Sequence, residues 1–343
     1  MPAQHPETIS TQKLVNNVLK SIEREREREI ISRRFGIFER KETLEQIGEL
    51  LGITRERVRQ LEKAVITKLR QAGEQHKLLG IDEFENRIVK LLNESGKVAR
   101  ISNLANKLVA DPNKIEQSRI AFLCSLCPQL VLITEDENFY ACVSNIYNEK
   151  DLKEAITNIA SIIAKIGEPK PISIIAKQAN IADEAQAEAL AGSSKLIASL
   201  NNQWGLVKWP LVNPKNIRDK IYVILKENGH HMHFNEISEA IKKSEFKRKN
   251  VTTQAIHNEL IKDTRFVLIG RGIYALREWG YEKGTVADII SKVLKEANQP
   301  LHRDEIVKRV LKSRFVKETT ILLNLQGKPQ FKRVAKATYE LAE

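Results

Sequence analysis

The chain has 343 residues, 42% hydrophobic and 29% charged, with a net charge of +12 and a pI near 9.4. That length holds about two to four domains, and the basic balance suits a polyanionic partner. No apolar run is long enough to cross a bilayer, Met1-Pro-Ala-Gln-His-Pro carries no export signal, and three cysteines make no disulfide framework, so a cytoplasmic protein with no membrane partner is expected.

Charge is unevenly spread. Lys plus Arg against Asp plus Glu runs 16 to 12 over residues 1–79, 14 to 16 over 80–213, and 26 to 16 over 214–343. The two ends suit polyanion contact and the middle suits spacing or protein contact.

At the front, Leu14, Val15, Leu19 and Ile22, then Ile30, Ile31 and Phe35, recur at helical spacing on either side of the alternating run Glu23 to Glu29. In a helix that run sets opposite charges at i, i+3 and like charges at i, i+4, so tertiary context must decide its form. Arg33 and Arg34 are open between phosphate contact and plain solvation.

Thr43 with Gln46 forms a capping box, predicting a helix to about Leu51. Gly52 ends it, Ile53 and Thr54 make a sharp turn, and Thr54 caps a second helix. Ile47, Leu51, Ile53, Val58, Leu61, Val65 and Leu69 are the expected core of this pair, and Gly48 permits close approach. Arg55, Glu56, Arg59, Gln60 and Lys63 fall on another face, beginning at the helix N-terminus, where a recognition helix enters the major groove. Arginine donates twice to guanine, glutamate accepts from the cytosine amino group, and glutamine brackets adenine. Glu56 repels phosphate, so a base reader gains from it where a purely electrostatic binder would not. The plainer alternative is that Glu56 favours the helix N-terminus and the arginines form a solvated face. With the turn and core attached, base contact is the better reading.

The run Arg28-Glu-Ile-Ile-Ser-Arg-Arg-Phe-Gly36, then Thr43-Leu-Glu-Gln-Ile-Gly and Gly52-Ile-Thr-Arg-Glu-Arg-Val-Arg-Gln-Leu-Glu62, resembles region 4 of the primary type of bacterial sigma factor over residues 12 to 71. The resemblance implies binding to the upstream promoter hexamer, with Arg55, Glu56, Arg59 and Gln60 at the bases, and docking on the beta flap of the RNA polymerase core. Sigma factors of that family carry an earlier domain that opens DNA, for which this sequence has no counterpart ahead of the match. Recognition of promoter-type duplex without unaided melting is therefore expected.

Cys124 and Cys127 form a C-x-x-C inside the apolar run Ile120-Ala-Phe-Leu-Cys-Ser-Leu-Cys. No second ligand pair stands at metal spacing, so buried packing is expected rather than zinc or redox chemistry.

Beyond residue 80 a unit of about sixty-five residues recurs. Phe139-Tyr-Ala-Cys-Val, Gly205-Leu-Val-Lys-Trp, Gly272-Ile-Tyr-Ala-Leu and Ala337-Thr-Tyr-Glu-Leu close the copies, with Tyr140, Val207, Tyr274 and Tyr339 spaced 67, 67 and 65 apart. Apolar runs at Leu130, Leu196, Phe266 and Phe331 precede these endings across polar turns, so each pair reads as a short hairpin. Three helical stretches stand ahead of each hairpin, in the third copy Ile217 to Glu227, Asn235 to Lys243 and Thr252 to Lys262, which makes a winged helix. His233-Phe-Asn-Glu-Ile with Phe266-Val-Leu-Ile-Gly-Arg-Gly-Ile-Tyr-Ala-Leu276, and Pro300-Leu-His-Arg-Asp-Glu-Ile306 with Tyr339-Glu-Leu, resemble the HARE-type helix-turn-helix also found in the delta subunit of bacterial RNA polymerase.

The fold class expected is mainly α: a helix-turn-helix domain (1–79) followed by tandem winged-helix units with small β-hairpins, at 80–146, 147–213, 214–281 and 282–343. Winged helices also serve protein contacts, so each copy is weighed alone. The third has Lys242, Lys243, Lys247, Arg248 and Lys249 ahead of a helix with Gln254, His257 and Asn258, and Arg271 in its wing, which favours DNA contact. The fourth has Lys312, Arg314, Lys317, Lys328, Lys332 and Arg333, while its apolar Ile321-Leu-Leu-Asn-Leu suits an inward helix equally well. The first two suit spacing or docking.

His230, His231 and His233 lack fixed metal partners, and no phosphate-cradling loop, nucleophile elbow or paired carboxylates occur. The expectation is a non-enzymatic DNA-binding transcription initiation factor with no cofactor, metal or small-molecule substrate. Its DNA-facing residues are Thr43, Thr54, Arg55, Glu56, Arg59, Gln60, Lys63, Lys247, Arg248, Lys249 and Arg271, and its partners are double-stranded DNA and the polymerase core. A polymerase-independent regulator and a delta-like accessory subunit are the alternatives.

Overall fold

Helix signals at the front of the chain act where the spacing places them. The computed structural model describes residues 10–342; the segment Met1 to Pro6, weighed above for export, lies outside the described residues. Helix α1 (Thr11–Lys20) is capped by the Ser10 hydroxyl and buries Val15, Val18 and Leu19. The apolar pattern that crosses the charged run is broken at residues 21–24, and α2 (Glu25–Phe35) starts inside that run. Glu25 and Glu27 lie in its first turn and Arg33 and Arg34 in its last, the polarity that favours a helix dipole.

α3 (Leu44–Leu51) and α4 (Arg55–Glu74) form the helix-turn-helix. Both halves of the Thr43–Gln46 capping box are made, and the Thr54 hydroxyl accepts from the Arg57 amide. Gly52 takes the left-handed conformation at φ 62°. A Cβ on Gly48 would stand 2.7 Å from the Ile53 carbonyl oxygen, so the small residue serves the turn itself. Ile30, Ile47 and Val58 make a small core there, lined by the half-buried Leu44, Leu51, Ile53 and Leu61.

Next come α5 (Ile81–Glu94), β1 (Val98–Arg100), α6 (Ile101–Leu108), α7 (Lys114–Leu126), β2 (Val131–Ile133) and β3 (Cys142–Ser144), with the sheet ordered β1-β3-β2. α8 (Glu149–Ile166), α9 (Ile172–Gln178), α10 (Glu184–Ser193), β4 (Ile197–Leu200) and β5 (Gln203–Leu206) repeat the order, and a single bridge from Lys170 to Trp204 stands in for the first strand. α11 (Ile217–Asn228), β6 (Met232–His233), α12 (Phe234–Lys243), α13 (Thr253–Lys262), β7 (Phe266–Gly270) and β8 (Ile273–Leu276) make the third repeat, and α14 (Val286–Ala297), β9 (Leu301–His302), α15 (Arg303–Ser313), α16 (Glu318–Gly327), β10 (Phe331–Ala335) and β11 (Thr338–Leu341) the fourth. The fold is mainly α, with small antiparallel sheets in helix-strand-helix-helix-hairpin order. No helix among the described residues is long and apolar enough to cross a membrane.

The pairing register corrects the even spacing of the hairpin endings. Tyr274 pairs with Met232 and Tyr339 with Leu301, each one residue before the histidine that caps the next helix. The same place is held by Val143, opposite Ala99, and by Trp204, opposite Lys170, not by Tyr140 and Val207. Phe139 instead bridges Ser194 of the following repeat, so the ending read there as a strand is a strand at Cys142 and Val143 and a joint between two repeats at Phe139.

Residues divide into two compact units, Met1–Lys208 and Trp209–Glu343. In the first, one hydrophobic core runs from Val15, Val18 and Ile31 through Val65 and Leu69 to Phe84, Leu104, Phe122 and Val143. Helix α7 lies at its centre, and every residue from Arg119 to Leu126 is buried. Phe122 meets Phe35 edge-on at 5.0 Å between ring centroids, Arg119 Nε donates to the Ile37 carbonyl at 2.9 Å, and Arg70 Nε donates to the Ser125 carbonyl at 2.7 Å. Cys124 and Cys127 are buried free thiols in this helix; burial raises both thiols far above the ordinary range, as packing residues require.

In the second unit, Arg314 donates to the Leu268 carbonyl at 2.9 Å and the Phe315 amide to the Ile269 carbonyl at 3.2 Å, which ties the segment after α15 to the edge of β7. His231 packs on Phe315 with centroids 4.4 Å apart, and His233 caps α12, so both have structural roles.

Because α7 serves the front helices and the first winged helix together, Phe122→Ala should destabilise both as one. The expected loss is about 3–5 kcal/mol, read as a single thermal transition moved downwards by circular dichroism. Two separated transitions, with the front helices melting at an unchanged temperature, would show that the cores are independent.

Candidate nucleic-acid interface

The first turns of α4 carry the candidate interface. Val58, Val65 and Leu69 anchor the inner side of the helix, and Arg55, Glu56, Arg57, Arg59, Gln60 and Lys63 are all exposed. Among the described residues, nothing in the first unit covers this face. Thr43 and Thr54 are exposed at the N-termini of α3 and α4, where their side chains cap the helices and leave further first-turn amides pointing outwards.

Charged groups on this face hold one another. Glu56 receives Arg59 through both nitrogens of a fork, Nε at 2.8 Å and the terminal nitrogen at 2.6 Å, and Gln60 donates to the same carboxylate at 3.4 Å. Arg55 pairs with Glu45 of α3 at 3.1 Å, and Arg57 donates to Gln60 at 3.3 Å. The Arg59 guanidinium beside Glu56 holds its carboxyl below the usual range, and Arg59 is raised in turn. These pairs are exposed and exchangeable for other charged hydrogen bonds.

Sequence spacing identified five of these residues but passed over Arg57 and Glu45. Arg57 sits three residues before Gln60, which helical spacing shows; Glu45 reaches Arg55 only because the turn folds α3 across α4. Arg26 was likewise missed, and it donates to the Leu51 carbonyl at 2.5 Å, closing the C-terminus of α3. Arg33 is bound to Glu29 at 3.0 Å and Glu42 at 2.9 Å, and Arg34 to Glu62 at 3.3 Å. Both clamp the module together, an outcome that neither phosphate contact nor solvation described.

The remaining candidates belong to the second unit. Lys247, Arg248 and Lys249 are exposed in the loop before α13. Lys220, buried in α11, donates to the Lys247 and Arg248 carbonyls at 2.8 and 2.9 Å, fixing the loop from beneath and turning its cations outwards. Arg271 is exposed in the two-residue turn between β7 and β8, so this wing is short. His257 faces inwards, with Phe234 at 5.0 Å and Tyr274 at 6.2 Å between centroids, and leaves Gln254 and Asn258 exposed on α13. In α16, Ile321 and Leu325 are buried.

The family model for Sigma-70, region 4 matches residues 24–71. That span contains α2, α3 and most of α4, and it includes every front-module residue of the candidate interface. The matched segment is thus similar to a DNA-binding domain of RNA polymerase-associated transcription factors.

If Arg59 is the main cause of the lowered Glu56 carboxyl, Arg59→Gln should move its titration upwards, towards the ordinary glutamate range. The wild-type pair persists at neutral pH and is lost as pH falls through the depressed value of the folded state. A side-chain NMR titration in which the variant and wild type coincide would remove Arg59 as the cause.

Proposed function

We propose that this protein is a sigma-like transcription initiation factor that recognises promoter-type duplex and associates with RNA polymerase. The observation that carries the reading is the uncovered N-terminal face of α4, which presents both cations and a carboxylate beyond a sharp glycine turn. α4 would lie in the major groove, with Arg55 and Arg59 reading guanine, Glu56 the cytosine amino group and Gln60 adenine. Thr43, Thr54 and Lys63 would fix the register on the phosphates. The second unit, whose repeats resemble HARE-type winged helices, would add backbone contacts through Lys247, Arg248, Lys249 and Arg271. Docking on the beta flap of the polymerase core belongs to the same proposal, on the strength of the region 4 resemblance.

One observation favours a second reading. The inner apolar faces of α1, α2 and α4 are filled by α7 of the same chain, which leaves mostly polar surface on the module for a further protein. A DNA-bound regulator that never meets polymerase suits that arrangement, and retention of polymerase core on the immobilised full-length protein at moderate salt decides between the two. Core retained above a bare-resin control supports the initiation factor; none retained supports the regulator. A delta-like accessory subunit would instead keep polymerase after residues 1–79 are removed.

DNA reading itself is tested by selecting binding sites from random duplex. Glu56→Ala should blur base preference while overall affinity changes less than fivefold, since removing a carboxylate also removes phosphate repulsion. Lys247→Gln with Lys249→Gln should weaken all duplexes alike and flatten the salt dependence. An unchanged site profile for Glu56→Ala would end the base-reading role.

A further inference from the structure

A cleft of about 720 Å³ opens between the loop that enters α3 and the starts of α6 and α7, wholly inside the first unit. Four cationic side chains line it, Arg40, Lys41, Arg100 and Lys114, against two carboxylates, Glu39 and Glu135. Glu135 is already held by Lys195 at 2.7 Å. Among the described residues, none of the four cations has an ion pair or a side-chain hydrogen bond. Elsewhere in the unit Arg33, Arg34, Arg59 and Arg119 each hold a carboxylate.

Arg100 is the informative member. Its guanidinium is half-buried and lies 4.0 Å from the centre of the Tyr140 ring, held by stacking and not by an anion. Burial pulls its pKa down and does the same to Lys41, where the Glu135 carboxylate opposes the shift and Arg34 adds repulsion. Four cations face two carboxylates, one of them engaged by Lys195, and this positive balance gains from an anion that enters the space. Ser102, Gln117 and Ser118 supply neutral donors along the same wall. The volume exceeds what one phosphate needs and falls in the range of small-molecule sites. Tyr140 is engaged by Arg100 and by Lys195, whose Nζ is 5.5 Å from its centre, so the ring is not free to stack on a base.

We propose that this cleft binds a chain of phosphate groups, with Lys41, Arg100 and Lys114 on its oxyanions. The phosphates come either from a free polyphosphorylated ligand or from successive backbone positions of a duplex; the recognising chemistry is shared. The ligand would bridge the front module and the first winged helix. This site does not depend on α4 reading bases.

Inorganic tripolyphosphate at low salt is the probe, titrated calorimetrically into the full chain. Saturable 1:1 binding is expected, weakened at least tenfold by Lys41→Gln with Lys114→Gln and left within twofold by Lys90→Gln, an exposed lysine on α5 outside the cleft. Both substituted lysines of the double variant are exposed, and an unchanged melting temperature establishes its fold. Arg100→Gln gives the same loss if the cleft is the site. A duplex arm separates the sources: a salt slope reduced by about 2 in the double variant identifies backbone phosphates, and an unchanged slope beside lost tripolyphosphate binding identifies a free ligand. No saturable binding of tripolyphosphate, or equal weakening by Lys90→Gln, overturns the proposal. Selected base preference unchanged in the double variant keeps this result distinct from the fate of the α4 reading.

Discussion

Helix α7 sits where two surfaces need the same partner. The front helices leave an apolar inner face, with Val15, Val18, Ile31, Val65 and Leu69, that a module of this size cannot bury within itself. The first winged helix supplies the third helix of its own bundle to cover it. Packing from both sides leaves every residue from Arg119 to Leu126 inside. In a winged helix the third helix is the usual DNA reader; in the repeat that adjoins the front module that helix is buried, and the outer face of α4 is left clear.

Support of this kind has consequences for recognition. The inner side of α4 is pinned through Val58, Val65 and Leu69, and Arg34 ties α2 to Glu62 on the same helix. The outer side chains are therefore displayed on a rigid rod, which restricts the geometries in which their hydrogen bonds can be satisfied. On this face Glu56 pairs with Arg59 and Glu45 with Arg55. Exposed pairs of this kind cost little to exchange for other partners.

The repeats share an order of elements but divide the use of their charged surfaces. In the first unit some cations serve seams, Arg70 and Arg119 satisfying carbonyls across α7 and Arg100 lying on Tyr140 at the joint with the next repeat, while Arg55, Arg57, Arg59 and Lys63 stand exposed on α4. In the second unit the loop at Lys247 to Lys249 is propped outwards by a buried lysine, and Lys332, Arg333 and Lys336 are exposed along the last hairpin. A basic total thus conceals two arrangements, one structural and one available to a polyanion.

Sequence alone determined the features governed by local chemistry. The Thr43 and Thr54 caps, the left-handed Gly52, the helices placed to within a residue at Ile217, Asn235 and Thr252, and the burial of the Cys124–Cys127 segment all follow from neighbours within a few residues, where spacing is a direct measure of geometry. The charged face of α4 was legible for the same reason. Tertiary structure decided whatever joins distant residues. Glu45 meets Arg55 only across the turn, Arg33 and Arg34 are claimed by Glu42 and Glu62, and the hairpin register moved from Tyr140 and Val207 to Val143 and Trp204 because strand partners are chosen by packing. Nor could spacing show that α7 is shared, since an apolar helix buried on all sides and one buried on a single face differ in what surrounds them, which is a property of the whole fold.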